Sequence, residues 1–165
     1  MYEKFGQFID GKWQSSEKKE TYEVINPATE EVLGHASKAT PVDVEKALKS
    51  AEKGLEIWKK TSPWKRSAII RKIADLIREK QDVLAKWITL EVGKPFAEGK
   101  GEVGATADIF EWNSEETKRI YGQTVESRFE DTRIHVYYQP IGVVAAMSPW
   151  NFPLVLSGRK ISTAL

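Results

Sequence analysis

Apolar residues recur at helical spacing through the middle of this chain and at strand-like spacing towards its two ends. Val44, Ala47, Leu48, Ala51, Leu55 and Trp58 fall three and four residues apart, which predicts a helix with one apolar face. Thr40 as cap, Pro41 at the first helical position and Asp43 in a variant of the capping box mark its start. Ser62 and Pro63 repeat that device. Ile69, Ile70, Ile73, Ile77, Leu84, Trp87 and Ile88 then extend a single second helix for about seven turns. Gly93 and Pro95 stop it. A third helix is expected from Pro95 to Tyr121, with Ala105, Ile109, Phe110 and Trp112 as its apolar side and Gly122 as its end.

Strand patterns flank these helices. Phe5 to Trp13 places aromatic and β-branched residues around Asp10-Gly11, a hairpin signal. Thr21 to Ile25 and Val32 to Ala36 read as strands joined by the turn Asn26-Pro27-Ala28-Thr29, so the opening third is a small antiparallel region. Gln123 to Gln139 reads as a long hairpin with a polar tip at Glu130-Asp131-Thr132. Because such a hairpin is marginal alone, it is either an arm completed by another subunit or domain, or an edge hairpin of the same domain. Pro140-Ile141-Gly142 leads into Val143 to Met147, a continuous apolar run that reads as a strand buried on both faces of a parallel sheet. Pro153 to Leu165 predicts a last helix with Leu154, Leu156, Ile161 and Leu165 apolar. It stops in mid-pattern, as in a truncation, and a parallel sheet needs more strands than this one.

Composition narrows the function classes. The 165 residues suffice for one domain with a core, and 41% apolar with 30% charged residues is a globular rather than a disordered balance. A net charge of +1 gives no electrostatic case for nucleic acid or an anionic membrane. No apolar run approaches the roughly 20 residues that span a bilayer. Met1 to Phe5 lacks the apolar core of a signal peptide, so cytoplasm is the default location. With no cysteine there is no disulfide, thiolate metal site or cysteine nucleophile within these residues. His35 and His135 are far apart in strand-like contexts, where structural or surface roles outweigh metal ligation.

Little of the remaining sequence carries chemistry. Gly99-Lys100-Gly101-Glu102-Val103-Gly104 matches the spacing of a dinucleotide fingerprint, but no buried strand precedes it. It reads instead as glycines in a helix, each costing about 0.8–1 kcal/mol relative to alanine. There is no catalytic triad and no metal-ligand cluster, and the carboxylates mostly sit beside basic residues as on a solvated face. The exception is Met147-Ser148-Pro149-Trp150-Asn151-Phe152-Pro153, where the apolar run ends in a proline-bounded turn presenting Asn151. In α/β proteins ligands bind at the carboxyl ends of strands. A neutral carboxamide held there can donate to a developing oxyanion. It can equally cap the helix that begins near Pro153.

Several segments together resemble the N-terminal part of the NAD(P)-dependent aldehyde dehydrogenase superfamily, over nearly the whole chain. These are Ile25-Asn26-Pro27-Ala28-Thr29, Leu90-Glu91-Val92-Gly93-Lys94-Pro95, Phe110-Glu111-Trp112 with Lys118-Arg119-Ile120-Tyr121-Gly122, and Pro140-Ile141-Gly142-Val143-Val144 leading to Ser148-Pro149-Trp150-Asn151-Phe152-Pro153. The resemblance implies an α/β fold: the N-terminal part of a Rossmann-type cofactor domain (residues 1–122), a β-hairpin oligomerisation arm (123–140), and the first buried strand and helix of the sheet (141–165). It implies that Asn151 donates to the oxyanion formed when a cysteine attacks an aldehyde. Met147, Ser148, Pro149 and Trp150 would line the site for NAD or NADP. In members acting on semialdehydes with a distal carboxylate, an arginine matches Arg159. The alternative is an ordinary surface arginine followed by Lys160. The family's cysteine nucleophile and glutamate base would lie beyond Leu165, so this chain alone is expected to be inactive and the longer parent to be a homo-oligomer, a dimer or tetramer. A truncated protein serving oligomerisation or regulation is the competing expectation.

Overall fold

The computed structural model describes residues 6–165. Three two-stranded antiparallel ribbons accompany five α-helices. The ribbons are β1 (Gln7–Ile9) with β2 (Lys12–Gln14), β3 (Thr21–Ile25) with β4 (Val32–Ser37), and β5 (Gln123–Glu126) with β6 (Arg133–Val136). The helices are α1 (Pro41–Trp58), α2 (Pro63–Glu79), α3 (Gln81–Val92), α4 (Phe96–Glu116) and α5 (Pro153–Ala164). The expected first hairpin is present except for Phe5, which lies outside the described residues. Asp10 and Gly11 form its tip, both with positive φ (54° and 74°), which suits the right-handed twist of a two-residue hairpin. The Asn26 turn closes on itself. The Asn26 side-chain oxygen accepts from the Ala28 amide at 2.9 Å, and the Asn26 carbonyl accepts from the Glu30 amide at 2.8 Å.

Helix α1 starts as its sequence dictates. The Thr40 hydroxyl accepts from the Asp43 amide, and the Asp43 carboxylate accepts from the Thr40 amide at 2.9 Å. Asp43 also accepts from the Glu17 amide, which ties the antiparallel region to the helix. These donors, the Thr40 amide foremost, hold the Asp43 carboxyl below its ordinary range. The expected apolar face of α1 is nevertheless poorly covered, with Val44 and Leu48 about half exposed.

The long second helix is in fact two. Lys80, at φ −100° and ψ 17°, breaks the ladder between α2 and α3. The break lets each half seat on α4. Ile70 and Ala74 of α2 pack with Phe110, while Ala85 and Ile88 of α3 pack with Val103, and Ile77 borders both clusters. The Gln81 side chain fixes the kink by donating to the Lys100 carbonyl at 3.2 Å. Gly93, with φ 79°, ends α3 in the left-handed conformation that glycine allows.

Helix α4 is central, contacting α2, α3 and α5. Its buried side differs from the one expected. Gly99, Glu102, Val103, Thr106, Ala107, Phe110 and Ser114 face inward, whereas Trp112 and Ala105 are exposed. The glycine triplet lies inside this helix and not in a strand-to-helix turn. At Gly99 a Cβ would come within 3.0 Å of the Ala85 carbonyl oxygen, so that glycine permits the close approach of α3.

The strand expected over Val143–Met147 does not form, and its residues are exposed rather than buried on both faces. A strand exists only through its ladder partners. Among the described residues no other strand lies beside this segment. Gln123 to Val136 does form the expected hairpin, with every strand residue exposed. No helix among the described residues is long and apolar enough to cross a membrane.

Candidate functional site

Helix α5 and the turn before it carry the residues singled out by sequence. Gly158 seats the helix: an added Cβ would lie 2.6 Å from the Thr106 methyl and 3.2 Å from the Phe110 ring. Leu154 joins the α3–α4 cluster, and the Asn113 side-chain amide donates to the Ser162 hydroxyl at 2.8 Å. At the far end the Trp58 indole donates to the Leu165 carbonyl at 2.7 Å. These contacts fix one side of α5 against α4 and leave Arg159, next to Gly158, in solvent. Among the described residues its guanidinium has no hydrogen bond or ion pair.

Asn151 occupies the turn immediately before α5 and is exposed. It does not cap the helix. Phe152 holds the cap position, and no side chain there accepts from the first turn. The side-chain amide of Asn151 makes no hydrogen bond with the described residues, so the carboxamide is presented outward while its backbone is held.

The orphan amides of the first turn are satisfied from another helix. Glu102 of α4 accepts from the Leu154 amide at 2.9 Å and the Val155 amide at 3.2 Å through Oε1. Its other oxygen accepts from Lys94 Nζ at 2.6 Å. Lys94 Nζ also donates to the Asn151 carbonyl at 3.0 Å and sits 3.7 Å from the centre of the Phe152 ring. Both side chains are withdrawn from water, at 9% exposure for Lys94 and 1% for Glu102. A carboxylate at a helix N-terminus is also favoured by the helix dipole. Removing one member of such a buried pair typically costs about 3–5 kcal/mol, because the other is left as an uncompensated charge.

Sequence reasoning missed this pair. Glu102 stands among Glu98, Gly99, Lys100 and Gly101, which reads as a solvated stretch, and Lys94 stands between a helix-ending glycine and a proline. One signal was available. A helix entered through Phe152-Pro153, without Ser, Thr or Asp beside the proline, needs an acceptor from elsewhere. Lys160 was missed as well. Its ammonium donates to the Met147 carbonyl and to the Ser148 hydroxyl at 3.3 Å, so α5 also grips the segment before Asn151. Met147 and Trp150, by contrast, expose 81% and 79% of their surface. The segment therefore combines a tethered backbone with an open apolar face. No cluster of metal-ligating side chains is found among the described residues, and His35 and His135 are exposed on separate ribbons.

A family model described as the aldehyde dehydrogenase family matches residues 13–165. The chain is 43% identical over 158 residues to a glutarate-semialdehyde dehydrogenase of Pseudomonas putida, covering 96% of this chain and 33% of that protein. It is 43% identical over 157 residues to a succinate semialdehyde dehydrogenase of Acinetobacter baylyi, covering 95% and 32%. The crystal structure of an Escherichia coli NADP-dependent enzyme superposes with a TM-score of 0.91 at 41% identity, covering 94% of this chain and 32% of that one. The chain thus spans about a third of the length of the relatives it matches. Its α/β architecture is that of the N-terminal part of an aldehyde dehydrogenase cofactor domain.

Proposed function

The chain belongs to the aldehyde dehydrogenase family, and on that premise we propose that it serves as the N-terminal third of an enzyme oxidising an aldehyde to a carboxylic acid. The observation that carries this reading is Asn151, a carboxamide without a partner among the described residues, in a turn held by Lys94 and Glu102. A preorganised neutral donor stabilises developing negative charge without spending energy on reorientation at the moment of reaction. Here the charge would be the oxyanion formed when a cysteine beyond Leu165 adds to the aldehyde carbon. A glutamate, also beyond Leu165, would activate the water that releases the acid.

The exposed face of Met147, Ser148, Pro149 and Trp150 suits the lining of a dinucleotide site, since it offers apolar side chains on a backbone that Lys160 restrains. NAD or NADP, when bound there, supplies the hydride acceptor. Residues 1–122 would form part of the cofactor domain, and 123–140 an arm completed by another subunit of a dimer or tetramer. The unpaired run 143–147 would join a parallel sheet whose other strands come from later sequence. The exposed ribbon β5–β6 and the uncovered apolar run support both assignments.

The aldehyde class we favour is a semialdehyde with a distal carboxylate, bound by Arg159. Its guanidinium has no partner among the described residues and lies about two helical turns after Asn151, and a fork of donors matches a carboxylate. The named activities of the glutarate- and succinate-semialdehyde relatives point the same way.

The role of Asn151 is tested by Asn151→Ala in the full-length polypeptide. Turnover is expected to fall about 10²–10³-fold, with NAD(P) affinity measured by fluorescence titration unchanged. Near-normal turnover would remove Asn151 from the chemistry.

A further inference from the structure

We infer that Lys94 and Glu102 are positioning residues for Asn151, acting on the reaction without touching substrate. The inference rests on the oxyanion-donor reading just given. Their contacts hold the chain at Asn151 and just after it. Lys94 Nζ donates to the Asn151 carbonyl at 3.0 Å, and Glu102 accepts from the amides three and four residues later at 2.9 and 3.2 Å. The two charges then close on each other at 2.6 Å.

One anchor comes from the connection between α3 and α4 and the other from α4 itself. Lys94 is fixed between the left-handed Gly93 that ends α3 and Pro95, which precedes α4. Glu102 lies in the second turn of α4, on its buried side. The turn carrying Asn151 is therefore placed relative to α4 and to the connection that leads into it, through charge-assisted hydrogen bonds from two side chains largely withdrawn from water. The Phe152 ring lies against the ammonium as a further contact.

A purely structural salt bridge would not need the Asn151 carbonyl. Glu102 alone would satisfy the helix start, and Lys94 alone would satisfy Glu102. The third contact, from ammonium to the carbonyl of the functional residue, makes the pair a register device. Loosening it would let the turn carrying Asn151 shift, and a displacement of about 1 Å in a catalytic group is enough to cost on the order of 100-fold in rate.

The test is a double-mutant cycle in the full-length polypeptide. Lys94→Met, Glu102→Gln and the charge-free pair Lys94→Met/Glu102→Gln are each made alone and together with Asn151→Ala. Each should lower kcat roughly 10- to 100-fold, leaving KM and NAD(P) affinity within about twofold. In the Asn151→Ala background the same changes should cost nothing more, since the group they position is gone. Where a single variant does not fold, the charge-free pair, which strands no buried ion, gives the same reading. Full activity of the folded variants overturns the inference. Losses that multiply with that of Asn151→Ala overturn it too, because they would show general destabilisation of the site. In both cases a large loss in Asn151→Ala alone leaves the oxyanion donor standing. Normal turnover in Asn151→Ala brings down the reading and the inference together.

Discussion

At the scale of single residues, this chain separates side chains that hold from side chains that are offered. Glu102, Lys94 and Lys160 are committed to backbone atoms or to each other, whereas Asn151 and Arg159 have no partner among the described residues. An unpaired guanidinium on a helix otherwise anchored by Gly158 and Ser162 is suited to an incoming carboxylate. Arg159→Ala in the full-length polypeptide should therefore raise KM for succinate or glutarate semialdehyde at least tenfold, given that hydrogen bonds to charged groups are worth about 1.5–3 kcal/mol. A neutral aldehyde of similar length should be little affected. Equal effects on the two substrates, measured by steady-state kinetics, would assign Arg159 to the solvated surface. The sequence singles out Asn151 by its turn between prolines and by a family pattern, and Arg159 by the family pattern alone. Glu102 is not singled out, because its burial depends on α5 arriving from 52 residues away.

Among the elements, boundaries were the most legible feature and burial the least. Thr40-Pro41, Ser62-Pro63 and Gly93 mark helix ends by local chemistry, and the structure uses each of them there. The kink at Lys80 escaped because Ile77 and Leu84 keep helical spacing across it, although the backbone turns to let α2 and α3 both reach α4. The buried side of α4 escaped because it is built from small and polar residues, which periodicity of large apolar groups does not detect. That side makes glycine the discriminating residue. At Gly101 a Cβ meets nothing within 4 Å, so Gly101→Ala should stabilise the protein by about 0.4–1 kcal/mol through helix propensity and a less disordered unfolded chain. At Gly158 the added methyl collides with Thr106 and Phe110, so Gly158→Ala should destabilise by about 1–3 kcal/mol and loosen α5. Urea unfolding of the two variants checks the opposite signs. Equal and small effects would mean that α5 is not seated as described.

On the scale of the whole molecule, the described residues place a well-packed helical layer beside surfaces with no cover. Val144, Met147, Trp150, Tyr137 and Tyr138 are exposed along and just before the segment that was expected to be a buried strand. Continuous apolar sequence favours burial, but it does not say that the burying partners are in the same 165 residues. The absent cysteine makes the same point chemically. The proposed oxyanion donor, Asn151, is present, and the nucleophile that would generate the oxyanion is not among these residues. The most direct test is to assay the product of the complete coding frame beside residues 1–165 alone, following NAD(P)H formation with succinate or glutarate semialdehyde. The expected result is a frame that continues past Leu165 into a cysteine- and glutamate-containing part, turnover by that polypeptide, and none by residues 1–165. A frame ending at Leu165, a complete polypeptide that oxidises no aldehyde, or turnover by residues 1–165 alone would contradict it.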